Sequence, residues 1–460
     1  MVHGMRWIIT AAGLVLLSLA GYQEVALKDL MPKGMAIGVA INQRQFEGTD
    51  AAAVDIITKQ FNQISPENVL KFQPTQPAAD RYAFEAADRY VQFGVDRHMQ
   101  VVGHNLVWHS QTGAWVFQGA DGKPADRDTL LARMRDHIRT VVGRYKGKIH
   151  GWDVVNEAID EDGSLRKSPW QVGIGDDYIA KAFEFAHEAD PDAELYYNDF
   201  NLEKPAKRAG VIKLVRDLQA RKLRIDGIGN QAHWRLETPT VDEIDKTLVE
   251  LHSTGLKVMY TELDINLLPN TPRGADPAVA NPYANGLPDE IQQQLARRYA
   301  DVFRLFVKHR DAVTRVTFWG LSDADSWLNR GRMNYPLLWD RQRRPKPAFD
   351  AVVDALRRRR SACPRAHGWQ DSRMRPMESD TSALASWSPE QIALGRRWVE
   401  AWKNAGPELE RIRRRELRQL DAYAAIALLC GPADYGAAPR APKPTSGLIE
   451  QQRVFRKLGR

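Results

Sequence analysis

The stretch Ile149-His150-Gly151-Trp152-Asp153-Val154-Val155-Asn156-Glu157 decides how this chain folds. Its apolar, β-branched centre is too short for an ordinary helix and stops abruptly at an amide and a carboxylate, the signature of a buried strand with a polar end. The pattern recurs along the chain. Val101-Val102-Gly103 runs into His104, Leu195-Tyr196-Tyr197 into Asn198-Asp199, and Gly227-Ile228-Gly229 toward Gln231 and His233. Val258-Met259-Tyr260 leads to Glu262 and Asp264, and Val316-Thr317-Phe318 to Trp319. Two earlier strands, near Met35 to Ala40 and Phe61 to Ser65, bring the count to eight.

Between these strands lie segments of helical period: Thr49 to Gln60, Glu85 to Asp96, Asp126 to Arg144, Asp176 to Ala189, Pro205 to Lys222, Thr240 to Thr254 and Glu290 to Arg310. Eight strands alternating with helices predict an α/β chain folded as a (β/α)8 TIM barrel, in which active sites lie at the C-terminal ends of the strands. A doubly wound sheet would carry a glycine-rich phosphate loop after its first strand, and the sequence has none.

Charge divides the chain in two. Its 460 residues carry a formal charge of +7, but from Arg357 onward there are 21 Lys+Arg against 11 Asp+Glu, which leaves 44 basic and 47 acidic residues in the first 356. The body is nearly neutral and suits an uncharged partner. Both cysteines, Cys363 and Cys430, fall in the basic part, so the body holds neither a disulfide nor a thiolate metal site. At the other end, His3 and Arg6 precede an apolar run from Trp7 to Ala20 that closes on Ser18-Leu19-Ala20. This reads as a secretory signal over residues 1–20 and implies a secreted or periplasmic protein. The run is short for a bilayer span of about 20 residues, so no stable membrane anchor is expected.

Residues 357–386 have no sustained apolar period and read as a linker, and residues 387–460 as a basic tail of two helices, a small α-helical C-terminal extension. Arg396, Arg397, Arg411, Arg413, Arg414, Arg415 and Arg418 raise nucleic-acid binding by the tail alone, but a solvated helix face is the commoner reason for such charge, and no stacking aromatic motif accompanies it. Nucleic acid is not expected as a partner of the body.

Breaking a glycosidic bond needs protonation of the leaving oxygen and stabilisation of an oxocarbenium-like transition state, which two carboxyl groups flanking the bond supply. Glu157 and Glu262 each end an apolar strand, so a closed barrel would bring both to one mouth. A single strand-end carboxylate is more often a structural ion-pair partner, but the surrounding words are specific. Trp152-Asp153-Val154-Val155-Asn156-Glu157-Ala158 and Thr261-Glu262-Leu263-Asp264 resemble the two catalytic segments of glycoside hydrolase family 10, the β-1,4-xylanases. The resemblance covers about residues 28 to 356. Pro66-Glu67-Asn68-Val69-Leu70-Lys71, the run from Gly103 to Gln111, Tyr197-Asn198-Asp199, Gly229-Asn230-Gln231-Ala232-His233 and Thr317-Phe318-Trp319-Gly320 follow in the family's order.

The resemblance implies a retaining endo-acting xylanase in which Glu157 is the acid/base and Glu262 the nucleophile. It implies that Asn156 hydrogen-bonds the sugar 2-hydroxyl and that His233 keeps the nucleophile ionised, with Gln231 beside it. Glu67, Asn68 and Lys71 would grip the sugar two places from the cut on the non-reducing side, with His104 and Trp108 forming the neighbouring floor. Trp319 and Trp327 would line the same cleft, and Tyr197 is carried over as a further sugar contact. Phe72 departs from the family's usual tryptophan, and Thr75-Gln76-Pro77 replaces an acidic-proline pair. The Pro-, Asn- and Gly-rich stretch from Leu268 to Pro288 is expected to loop over the cleft.

The expected partners are xylan and xylo-oligosaccharides, acting on a monomer without cofactor or metal. His104 and His109 lack the helical i,i+4 spacing of a zincin pair. The alternatives are a β-1,4-glucanase or mixed-linkage glucanase on the same barrel, and a carbohydrate-binding protein on a retired hydrolase scaffold. The second requires loss of a catalytic group, and all of them are present.

Overall fold

The computed structural model describes residues 25–119, 121–270 and 276–357. The segments read as secretory signal and basic tail lie outside the described residues, as does the linker except for Arg357, which the structure places at the end of a helix. The strands are β1 (Ala36–Ile41), β2 (Gln63–Pro66), β3 (Gln100–Trp108), β4 (Gly151–Asn156), β5 (Glu194–Asp199), β6 (Gly227–Asn230), β7 (His233–Arg235), β8 (Lys257–Asn266) and β9 (Val313–Phe318). Each pairs in parallel with its neighbour from β1 to β6, β6 pairs with β8, β8 with β9, and β9 returns to β1. The sheet is therefore a closed barrel of eight strands. β7 is no ninth stave: it continues β6 outward and pairs only with the far end of β8, Asp264 to Asn266.

The helices fall where the periodicity places them, with ends explained by their caps. Asp126 accepts the backbone N–H of Thr129 at 2.8 Å and opens Arg127–Arg144, and Thr240 with Glu243 forms a reciprocal capping box that opens Val241–His252. Among the helices of more than six residues, one was not expected. Pro347–Arg357 starts on a proline whose missing N–H costs nothing in a first turn, and buries Val352, Val353 and Leu356. Among its described residues the stretch from Leu268 to Pro288 contains a single helical turn, Pro277–Ala280, and is tied to the segment beyond β9: Arg332 Nη1 donates to the Ala280 carbonyl at 3.2 Å and the Tyr335 hydroxyl to that of Tyr283 at 3.2 Å.

Strands covered by helices outside and by one another inside are buried on both faces, which explains their near-continuous apolar runs. On both faces of the sheet, side chains are seated against glycines on the next strand. Gly103 faces Trp152, and a Cβ at Gly103 would lie 2.1 Å from the Trp152 ring. Gly229 faces Asn198, and a Cβ there would lie 2.3 Å from Asn198 Oδ1. The second pair matters for chemistry, because the space left by Gly229 holds an amide beneath the barrel mouth.

Candidate active site

The C-terminal ends of the strands surround a cleft of about 520 Å³ whose walls include Glu67, Trp108, Glu157, Glu262, Trp319 and Trp327. Local irregularities aim these groups. The ladder shifts register between His104 and Val107 of β3, between Asp153 and Val155 of β4, and between Tyr260 and Leu263 of β8. Such bulges redirect side chains at the ends of sheets. Glu157 follows the β4 bulge with φ +57°, a left-handed conformation uncommon for a residue with a Cβ. It is held on both sides: its N–H donates to the Asn198 carbonyl at 2.9 Å, and its own carbonyl accepts Arg166 Nε at 2.8 Å.

The two carboxylates are joined by amides. Asn198 Nδ2 donates to Glu262 Oε1 at 3.0 Å and to Asn156 Oδ1 at 2.9 Å. Asn156 Nδ2 then donates to Glu157 Oε1 at 3.2 Å, and Gln231 Nε2 donates to the same Glu157 oxygen at 3.0 Å. With its oxygen occupied by the donors of Asn198 and Gln231, the Asn156 amide presents its amino group to the cleft. The other oxygen of Glu157 accepts Trp108 Nε1 at 2.9 Å.

Around Glu262 the electrostatics are set by a histidine between two acids. His233 Nε2 lies 3.1 Å from Glu262 Oε2 and Nδ1 lies 3.0 Å from Asp264 Oδ2. Burial alone pushes this imidazole down, but Asp264 and then Glu262 outweigh it and lift it to about 10. The result is an imidazolium flanked by two carboxylates, with its Nε2–H hydrogen-bonded to Glu262. Burial likewise pushes Glu262 up, yet the His233 hydrogen bond, the charges of His104 and His233, and the Asn198 amide hold it below its ordinary range. Asp264 also accepts Trp327 Nε1 at 2.8 Å, so one buried carboxylate fixes both the histidine and an indole that is 41% exposed in the cleft.

Across the cleft, Lys71 Nζ donates to Asn68 Oδ1 at 3.1 Å and to Gln111 Oε1 at 2.8 Å, with the ammonium 5.0 Å from the Trp108 ring centre. Burial pushes Lys71 down, against the attraction of Glu262, Glu157 and Glu67. Burial, with Asp325 adding repulsion, raises Glu67 to about 7, opposed by Lys71 and Asn42. On the floor, His104 Nδ1 lies 2.9 Å from Asp153 Oδ2, and its ring meets Trp319 edge-on at 5.4 Å.

Residues 26–355 match the family described as Glycosyl hydrolase family 10. The chain is 41% identical over 356 residues to endo-1,4-β-xylanase A of Xylanibacter ruminicola, covering 74% of this chain and 96% of that one. The chain belongs to glycosyl hydrolase family 10. Among solved structures it resembles a GH10 endoxylanase from a sugarcane soil metagenome, with a TM-score of 0.70 and 43% identity over 72% of this chain and 99% of that one. It also resembles the intracellular xylanase of Thermoanaerobacterium saccharolyticum solved as a mutant with xylotriose, with a TM-score of 0.65 and 36% identity over 72% and 99% of the two chains.

This family 10 hydrolase gathers at one cleft nearly all the residues singled out from sequence: Glu67, Asn68, Lys71, His104, Trp108, Asn156, Glu157, Gln231, His233, Glu262, Trp319 and Trp327. Tyr197 is the correction. It is fully buried behind the cleft, where its hydroxyl accepts the Ala158 N–H at 3.0 Å and donates to Asp199 Oδ2 at 2.5 Å. The aromatic that does line the cleft from this strand end is Phe200, with Asn201 beside it. Sequence reasoning also left Gln111, Asn198, Asp264 and Asp325 without roles. Asp264 carried a signal, since two residues beyond Glu262 a strand returns to the same face. Phe72 does not reach the cleft: it is buried with its ring stacked 3.5 Å from that of His137, so the departure from tryptophan is absorbed in the core.

Proposed function

We propose that this hydrolase cleaves internal β-1,4-xylosidic bonds of xylan with retention of configuration, with Glu157 as acid/base and Glu262 as nucleophile. The observation that carries this reading is the unequal environment of the two carboxyl groups. Glu262 is buried against an imidazolium and held ionised, as an attacking group must be, while among the described residues the Glu157 carboxyl takes its hydrogen bonds from an indole and two amides, with His109 Nε2 farther off at 3.9 Å. In the first step Glu157 gives its proton to the leaving oxygen as a Glu262 oxygen bonds to the anomeric carbon. In the second, Glu157 takes a proton from water, whose oxygen displaces Glu262. The amino group of Asn156 is placed to bond the 2-hydroxyl, a contact that strengthens as charge develops on the ring.

Xylan as substrate is supported by the xylanase relatives and by the cleft itself. Trp319 and Trp327 line the cleft, and the family resemblance puts them against the C5 edge of the sugars, where an indole would exclude the hydroxymethyl group of glucose by clash. The apolar run to Ala20 supports export as the corresponding proposal for location.

The test compares Glu157→Ala and Glu262→Ala on xylan and on an aryl xylobioside with a good leaving group. Both variants should lose xylan hydrolysis, but only Glu157→Ala should keep most of its first step on the activated substrate, because a good leaving group needs no proton. Mild and equal losses would refute the roles. Proton NMR of fresh product should show the β anomer; initial α anomer would make Glu262 a base.

A further inference from the structure

Beneath the wall that carries Glu157 lies a cation with no access to solvent. Lys207, in the first turn of the helix Pro205–Ala220, is fully buried, and its ammonium lies 2.9 Å from Asp199 Oδ1, which is fully buried as well. It lies 3.6 Å from Glu161 Oε1 and 3.6 Å from the centre of the Phe200 ring. Removing two charges from water is costly, and a buried ion pair is weak evidence of added stability. Its value must be sought in what it holds.

What it holds is the acid/base turn. Asp199 Oδ2 accepts the Tyr197 hydroxyl at 2.5 Å and the Ile159 N–H at 3.4 Å, Asp199 Oδ1 accepts the Phe200 N–H at 2.9 Å, and the Tyr197 hydroxyl accepts the N–H of Ala158. The two peptide groups that follow Glu157 therefore end on a Tyr197–Asp199 unit whose charge is balanced by Lys207. Glu157 itself sits at φ +57°, a conformation that persists only where its surroundings impose it. On the other side, Glu161 accepts Asn201 Nδ2 at 3.1 Å, and Phe200 and Asn201 both face the cleft.

We propose that Lys207, through its ion pair with Asp199, is a positioning residue that fixes the Glu157 turn and the Phe200 wall for proton delivery to the departing sugar. Burial already raises Asp199 to about 6 against the opposing pull of Lys207 and Tyr197. Without Lys207 the carboxyl takes up a proton, becomes a donor on one oxygen, and can no longer accept all the groups that converge on it. The turn then loosens, and proton transfer is sensitive to small displacements of the acid.

The inference rests on the assignment of Glu157 as acid/base, so Glu157→Ala is run in parallel. Lys207→Met should lower kcat/KM on an unactivated xylo-oligosaccharide about 30-fold, part of the 10²- to 10⁴-fold that a placed acid contributes, and on a 2,4-dinitrophenyl xylobioside by less than about 3-fold. A merely structural role would lower both alike. Asp199→Asn, which keeps the shape and removes the charge, should show the same split and decides the matter if Lys207→Met does not fold. Equal losses on the two substrates, or wild-type kcat/KM on the oligosaccharide in a folded variant, overturn the inference. If Glu157→Ala itself fails to discriminate between the substrates, the acid/base assignment falls instead.

Discussion

Asp264→Asn is the most informative single change, because it removes one charge while keeping an acceptor for Trp327 and the shape of the site. Asp264 is the largest of the influences that keep His233 protonated, and it is fully buried. With an amide in its place, burial prevails and His233 becomes neutral at working pH. Glu262 then exchanges a hydrogen bond from a cation for one from a neutral ring. Charged hydrogen bonds contribute about 1.5–3 kcal/mol and neutral ones about 0.5–1.5, so the difference is about 1–1.5 kcal/mol. That corresponds to about one pH unit in the ionisation of Glu262 and about tenfold in rate. The sign follows from the native state. Glu262 is held below its ordinary range and must be ionised to attack, so losing the imidazolium raises its pKa and moves the acid limb of the activity profile to higher pH. The assay is kcat/KM on a neutral xylo-oligosaccharide from pH 3 to 9 for the wild type and the variant. An acid limb that stays put, or moves to lower pH, would refute the claim that a charged His233 keeps Glu262 ionised.

Three further outcomes are expected. Because Glu67 is lifted to about 7, KM should fall about fivefold as pH rises through neutrality and its carboxyl becomes a charged acceptor for sugar hydroxyls; Glu67→Gln should make KM flat over that range. Gly103→Ala should destabilise the barrel by at least about 1–3 kcal/mol, since its Cβ would lie 2.1 Å from the buried Trp152 ring, and urea unfolding with an unchanged midpoint would show that the interior can yield there. A chain ending at Arg360 should unfold cooperatively and retain full kcat/KM, because the helix Pro347–Arg357 is the last to pack on the described barrel; loss of either would give the basic tail a part in the fold.

What the sequence determined by itself was the frame. Short β-branched runs alternating with helical periods specify eight buried parallel strands, and closure of such strands delivers every strand end to one rim, so Glu157 and Glu262 had to meet. The motif words then named most of the cleft. What only the tertiary structure decided was the direction of side chains at the bulged ends, because a shift of one residue in register turns a side chain to the opposite face and is set by the neighbouring strand. That is why Tyr197 turns toward the helices to carry the Ala158 N–H while Phe200 takes the cleft, and why Asn198, in the space left by Gly229, becomes the bridge between Asn156 and Glu262. The pairing of Lys71 with Gln111, 40 residues apart, and of Asp199 with Lys207 across a strand and a helix likewise has no period in the sequence. Local pattern records which groups are buried; which buried charges meet depends on packing between elements that the pattern does not encode.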